Sequence, residues 1–462
     1  MTISQDIDTG ESQPLLKNQQ NQQNSESLKD LKGYVKPLIS AFFISIVAGI
    51  NDGSLGSIIP RIKSYYQITN ETVSILFLCS AFGFFLSGAF NGYIVYKLGQ
   101  LKTLFLGSTM MFISFSLLSM GLPFPFMACT MPFVGGGMAL LDGAMNVYTA
   151  NVPLATLMLN VLHAIYGVGA MISPLVASFL LKHDISWKGM YFFLAVVGFV
   201  NIASIAFGFW HVDFEDAKHI GQEEVVVVED PLSASPRGDT GSQHQQQQQQ
   251  QQPVELKHSE LTKKAIFNRV TIISAAYILI YVGVEVTMGG WAYTFLKEGR
   301  HGDEVIMANV VSGYWAGLAA GRILLGYLSN RFGEKLTIMI FTMTIIICLV
   351  TMMVSTDIVF DSTALIAIGF LLGPMFPTTI SLMSKALPRN YHATAIGFVA
   401  ALGAGGAALF PFMTGQIAGK FGILIVPFVC VFMTTAMAVL WVFIPSKRPL
   451  LAAFRHSGYE SV

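Results

Sequence analysis

Charge is what this chain has least of. Asp, Glu, Lys and Arg make up only 12 % of its 462 residues and cancel to a net charge of zero. Soluble domains carry roughly 25 % charged residues, so a water-soluble globule is a poor fit. The zero balance by itself says nothing of partners, but a nucleic-acid reading lacks the basic stripe it would need. Cysteine is scarce as well. Cys79, Cys129, Cys348 and Cys430 lie inside apolar runs without metal-ligand spacing, which excludes a zinc site or a disulfide framework and predicts small buried hydrophobes. The sequence holds no nucleotide-binding loop, metal cluster or nucleophile elbow, so an enzyme reading has no chemistry to build on and no cofactor is implied. No cleavable signal precedes the first apolar run, and that run is therefore expected to be a membrane helix itself.

The chain is rich instead in apolar length, with 53 % hydrophobic residues. A helix needs about 20 apolar residues to cross the hydrocarbon core. Such runs lie near 36–59, 73–96, 101–121, 124–148, 155–181 and 189–210, and again near 270–296, 305–328, 336–354, 362–384, 393–418 and 422–444. The predicted fold is an all-α integral membrane protein, with twelve transmembrane helices in two six-helix bundles at 34–210 and 266–445. Residues 1–33 and 446–462 read as cytoplasmic tails, the first of them disordered. The linker 211–265 contains the tract Gln245 to Gln252 and is too polar and too simple in composition to build a core.

Lys and Arg set the expected orientation. The tails, the linker and every second short loop hold the larger share, Lys97, Lys102, Arg331 and Lys335 among them, which puts both termini in the cytoplasm. Asn70-Glu71-Thr72 is a glycosylation sequon in the first outside loop, although its closeness to the second span argues against use. In the first tail, Glu11 followed by Leu15 and Leu16 fits the acidic dileucine pattern read by sorting adaptors. The expected address is a vacuolar or lysosomal membrane, with the plasma membrane as the alternative.

The two halves repeat each other. Gly92, Lys97 and Gly99 follow one apolar run, and Gly326, Arg331 and Gly333 follow another 234 residues later, with Asn330 before the second cation. Gly49 and Gly56 answer Gly283 and Gly290 at the same offset, and Gly167 to Pro174 matches Ala404 to Pro411 at 237. Both halves therefore run in one direction, as bundles related by an axis along the membrane normal. The glycines and cations at each helix mouth are expected to pack closely and to serve a cytoplasmic gate, together with Arg322 near the end of span eight.

Ionisable groups inside a span cost about 2.5–3.5 kcal/mol on insertion scales and so tend to serve a purpose. They are few here: Asp52, Asp142, His163, Glu285 and Arg322. Asn51 and Asp52 sit beside a face made of Gly49, Gly53 and Gly56, which permits close helix packing. Asp142 and Asn146 are one turn apart and share a side. Asn160, His163 and Gly167 share a face in span five. Tyr281 precedes Glu285 by one turn, and Trp291 follows two glycines. An aromatic plane beside carboxylate and amide acceptors suits a sugar or another polyol. Each carboxylate also has a structural reading as packing glue, and Trp291 one as an interfacial belt residue.

Over nearly all of its membrane part the chain resembles the major facilitator superfamily. The family's loop signature is incomplete in the first copy, where Tyr96 stands for Asp, Lys97 for Arg and Gln100 for a further Arg. The second copy is fuller, with Asn330 for Asp, then Arg331 and Gly333. Asn51-Asp52, and an acidic residue four before Asn146, are similar to the fucose-permease branch. That branch includes glucose-transporter-like members and fungal relatives with the Val-Gly-Val-Glu-Val … Gly-Gly-Trp run. The resemblance implies that Asp52 and Asp142 take up a co-transported proton, and that Asn51, Asn146, His163, Glu285 and Trp291 line a cavity. Span four carries Asp where the fucose permease has Glu, which keeps the charge and shortens the reach. The function implied is alternating-access transport of a small polar solute, a sugar first, by a monomer in the lipid bilayer, coupled to protons with sodium as the alternative ion. Competing readings are a non-transporting nutrient sensor and a proton antiporter of drugs or metabolites. The first would need longer cytoplasmic segments, and the second lacks the arginine usual in span four.

Overall fold

A computed structural model describes residues 28–212, 263–388 and 391–446. The linker, most of the first tail and the end of the chain, with Glu11, Leu15 and Leu16, lie outside the described residues. Six helices form the first half: α1 (Val35–Tyr66), α2 (Asn70–Leu98), α3 (Gln100–Ser119), α4 (Phe124–Ala150), α5 (Ala155–Lys182) and α6 (Lys188–Phe209). The second half holds α7 (Arg269–Thr294), α8 (Glu304–Phe332), α9 (Glu334–Val354), α10 (Ile358–Leu372), α11 (Met375–Ala386), α12 (His392–Phe421) and α13 (Val426–Phe443). Caps mark several starts: Thr69, Asn268, Asp303 and Asp357 each accept a backbone N–H of the first turn.

Among the described residues, eleven stretches are long and apolar enough to cross a membrane. The remaining span, α8, has 29 residues, about 43 Å of helix at 1.5 Å per residue. It carries Glu304, Arg322 and Arg331 and packs against α5 and α10. The tenth span, expected as one helix, is two. Gly373-Pro374 separates α10 from α11, since proline lacks the N–H that would continue the ladder. Gly373 also brings the backbone onto α8, where an added Cβ would meet the Arg322 nitrogen at 2.5 Å.

Glycines set the helix pairing, and they set it twice. Gly49, Gly53 and Gly169 bring α1 onto α5, and Gly283 and Gly406 bring α7 onto α12. Gly83 and Gly135 join α2 to α4; Gly317, Gly321 and Gly369 join α8 to α10. The sequence repeat is thus a repeat of packing. The halves meet along α5 with α8, α2 with α12, and α1 with α7. Gly99 and Gly333 end α2 and α8 with φ of +82° and +107°, a conformation that side chains with a Cβ avoid. Their role in the repeated motif is to turn the chain. All four cysteines are free, but only Cys430 is buried and Cys129 is exposed, so the expectation of uniformly buried thiols does not hold.

Candidate functional site

Asp52, Asp142 and His163 lie at mid-helix in three different helices, yet all three are exposed. They face the space between the halves. On α1, Asn51 Nδ2 donates to Asp52 Oδ1 at 2.9 Å. From α5, the Tyr166 hydroxyl donates to Asp52 Oδ2 at 2.6 Å. On α4, Asn146 Nδ2 donates to Asp142 Oδ1 at 3.1 Å and to its carbonyl at 3.0 Å, as the one-turn spacing implies. Asp142 is within electrostatic reach of Asp52. Neither carboxylate forms an ion pair among the described residues.

The second half answers with a compensated pair. Arg322 on α8 binds Glu285 Oε1 at 3.0 Å, and Tyr314 donates to the Glu285 carbonyl at 2.9 Å. Glu285 is buried, so Arg322 neutralises a charge that burial would otherwise make expensive. Tyr281 is buried beside the pair, with its hydroxyl next to both Glu285 and Arg322. Both Asp52 and His163 sense this pair across the space: Asp52 lies in the field of Glu285, and His163 in that of Arg322.

Several expected site residues fall elsewhere. Arg322, read as a gate residue, sits ten positions before the end of α8 and belongs to the central cluster. Trp291 is fully buried, and its indole N–H donates to the Pro411 carbonyl at 2.9 Å. It ties α7 to α12 and packs on Phe77 of the first half with ring centres 6.1 Å apart, so in this conformation it presents no face to the opening. The side chains of Asn160 and Asn330 lie outside the described residues. Asn70 opens α2 with its amide oxygen buried. Sequence reasoning passed over Tyr166, whose only signal is its place one turn after His163.

The two ends of the molecule differ. At the end expected to face outward, the halves are latched. Arg61 binds Glu304 at 3.0 Å, Lys63 binds Glu298 at 2.7 Å, and Lys297 also reaches Glu304. Ser178 and Ser312 bridge α5 and α8 through backbone carbonyls, and Gln416 donates to the Glu71 carbonyl at 2.9 Å. Burial alone would raise the Glu304 carboxyl; the bonds from Lys297 and Arg61 outweigh it and hold it below the ordinary 4.5. Deeper on this side Gly56 abuts α7, where a Cβ would come within 2.6 Å of the Gly289 carbonyl and 2.7 Å of Gly290 Cα. Half-buried Arg300 supports the loop between α7 and α8, binding Asp361 at 2.6 Å and the carbonyls of Met352 and Ser355 at 2.7 Å.

The opposite end is open. Gly92 and Gly326, expected to pack closely, have nothing within 4 Å of an added Cβ. Tyr93, Tyr96, Tyr327 and Phe332 are exposed. Lys97 lies 6.0 Å over the Tyr93 ring, and neither it nor Arg331 forms an ion pair among the described residues. Gln100 and Glu334 occupy equivalent places in the repeat. Gln100 donates to the Ala144 carbonyl at 3.1 Å, while Glu334 holds Lys385 at 2.7 Å. A separate crevice of about 490 Å³, lined by Ile280, Phe410, Phe428 and other apolar side chains, lies between α7, α12 and α13 and contains none of these polar groups.

Two like-packed helical bundles around a polar, one-sided opening define the architecture of a membrane transporter. The chain belongs to the Major Facilitator Superfamily, whose family model matches residues 41–411 and 273–457. Bypass of stop codon protein 6 of Saccharomyces cerevisiae is 24 % identical over 424 residues, covering 88 % of this chain and 82 % of that protein. The glucose/mannose transporter GlcP of Bacillus subtilis is 20 % identical, covering 80 % of this chain and 84 % of its own length. The crystal structure of a D-xylose-proton symporter superposes with a TM-score of 0.69 at 13 % identity, covering 89 % of this chain and 98 % of that one. A nucleoside transporter structure gives 0.67 at 12 % identity, covering 89 % and 100 %. The protein is accordingly a multi-pass membrane protein of transporter type and not an enzyme.

Proposed function

We propose that this protein is a secondary transporter of a small polar solute of the sugar class, driven by protons through alternating access, with the cavity here open on the side of the tails and linker. One observation carries the reading. Asp52 and Asp142 bring two uncompensated carboxylates to a cavity whose other wall, Glu285 with Arg322, is already neutral. A space of low polarisability that holds two like charges draws in a cation, and a proton satisfies a carboxylate most compactly. The solute class is supported by the acceptors Asp52, Asp142, Asn51 and Asn146, and by the glucose/mannose and glucose/galactose transporters among the relatives. The latched end and the open end support a rocking of the two bundles in which Gly92 and Gly326 close when Gly56 separates from α7. Lys97 and Arg331 are then gate residues that find their partners only in the other state.

The test is uptake into proteoliposomes of radiolabelled D-glucose, D-mannose, D-galactose and D-xylose, with and without a pH gradient. The expected result is accumulation of at least one sugar above equilibrium when the outside is acidic, abolished by a protonophore. Uptake that needs sodium reassigns the ion. No uptake of any sugar under either condition overturns the reading.

A further inference from the structure

Tyr166 has no place in the reading above, yet it makes the 2.6 Å bond to the carboxylate at the centre of it. It stands on α5, which meets α8 of the other half directly at Gly167 and Ala319, and it lies in the fields of both Arg322 and Glu285. A phenol has one hydrogen to donate and lone pairs to accept with. With Asp52 ionised, that hydrogen is committed to Oδ2. Asp52 Oδ1 takes its bond from Asn51 Nδ2, a nitrogen that donates and cannot accept. Oδ2 is therefore the oxygen at which an added proton finds an acceptor, the phenol itself. When the proton arrives there, the contact survives only by reversing. The carboxyl O–H then donates to the Tyr166 oxygen, and Tyr166, keeping its own hydrogen, turns that hydrogen toward the cavity.

We propose that Tyr166 is a positioning residue for coupling, and that reversal of the Tyr166–Asp52 hydrogen bond converts a proton on the first half into a new donor. That donor faces a solute hydroxyl or Glu285 of the second half. The proposal rests on Asp52 being the proton carrier. The groups that face Asp52 are Asn51 on its own helix, Asp142 on α4, Tyr166 on α5 and Glu285 on α7, with Arg322 on α8 and His163 on α5 completing the ring around Glu285 and Tyr166. On its other side α1 meets α6 through Ser40 and Ser204, and α6 brings no charge to Asp52.

Infrared difference spectroscopy on the full chain in lipid vesicles, stepped through pH, tests this without knowledge of the solute. A carboxyl C=O band should titrate in the wild type and vanish in Asp52→Asn. In Tyr166→Phe, which keeps the ring, its midpoint should rise by about one to two pH units, because the bond lost to the charged form is stronger than the reversed bond lost to the acid. The band should also move to higher frequency, because the acid has lost its acceptor. Asn51→Ala should raise the midpoint and leave that frequency in place, since the Asn51 nitrogen that faces Oδ1 accepts nothing. An unmoved midpoint in Tyr166→Phe, or a frequency change in Asn51→Ala equal to that in Tyr166→Phe, overturns the reversal. Failure of the underlying assignment looks different: the wild type would then show no band that depends on Asp52.

Discussion

The two halves are built on one packing plan and hold their charges in opposite ways. The first half leaves Asp52 and Asp142 open to the cavity with only neutral donors, Asn51, Tyr166 and Asn146, beside them. The second half buries Glu285 and neutralises it with Arg322 at 3.0 Å. The same backbone thus supports a wall whose charge is free to change and a wall whose charge is fixed. An uncompensated carboxylate is costly and can be relieved by a proton, whereas a paired one is costly only when its partner is removed.

The largest effect that can break this contrast is loss of coupling. Asp52→Asn is expected to abolish pH-driven accumulation while exchange at equal solute concentrations persists, and Glu285→Gln to weaken solute binding and leave the pH dependence in place. Uptake assays in both modes check this, and identical behaviour of the two variants would erase the distinction. Next comes stability. Arg322→Ala should cost about 3–5 kcal/mol by leaving Glu285 buried and unpaired. The double change Glu285→Gln with Arg322→Gln should cost less, and Asp52→Asn should cost nothing. Thermal unfolding in detergent gives the ranking.

The ends of the molecule sharpen the comparison further. Gly56→Leu puts a side chain where even a Cβ would stand 2.6 Å from the Gly289 carbonyl, so the latched end should stay open and Ser178→Cys, which replaces a buried hydroxyl between α5 and α8, should label readily from outside. Gly92→Leu meets open space in this state and should leave that labelling unchanged. The smallest effect is expected at the latch itself. Arg61 and Glu304 are a partly exposed pair, worth about 0–1 kcal/mol, so Arg61→Ala should shift the balance of states by no more than about fivefold. Glu304 is held below its ordinary 4.5 by its partners. Its contribution to the closed end is therefore full above that value and is lost as pH falls through the lower one. Labelling of Ser178→Cys should rise as pH falls below 4.5, and that rise should disappear in Arg61→Ala with Lys297→Ala.

Local patterns were legible in the sequence, and contacts between distant helices were not. The offset of 234 carried the duplicated packing because glycines must recur wherever backbones touch. The bond between Asp142 and Asn146 followed from helical spacing alone. Nothing local pairs Glu285 with Arg322, which stand on different helices 37 residues apart. Trp291 read as a sugar platform from its neighbours, yet the two glycines before it also let α1 and Phe77 close over that region. The latch charges Arg61, Lys63, Lys297 and Glu304 carry no local signal of their role, because their partners lie about 235–243 residues away or in the next turn of chain.

Proton and solute fluxes recorded together in one proteoliposome preparation test the central claim most directly. A pH-sensitive dye inside the vesicles reports protons while a labelled sugar reports the solute. For the wild type, the account predicts internal acidification that starts with sugar addition and scales with sugar entry; in Asp52→Asn, sugar equilibrates with no proton signal. Sugar accumulation under a pH gradient in Asp52→Asn, at the wild-type level and with the same acidification, would contradict it.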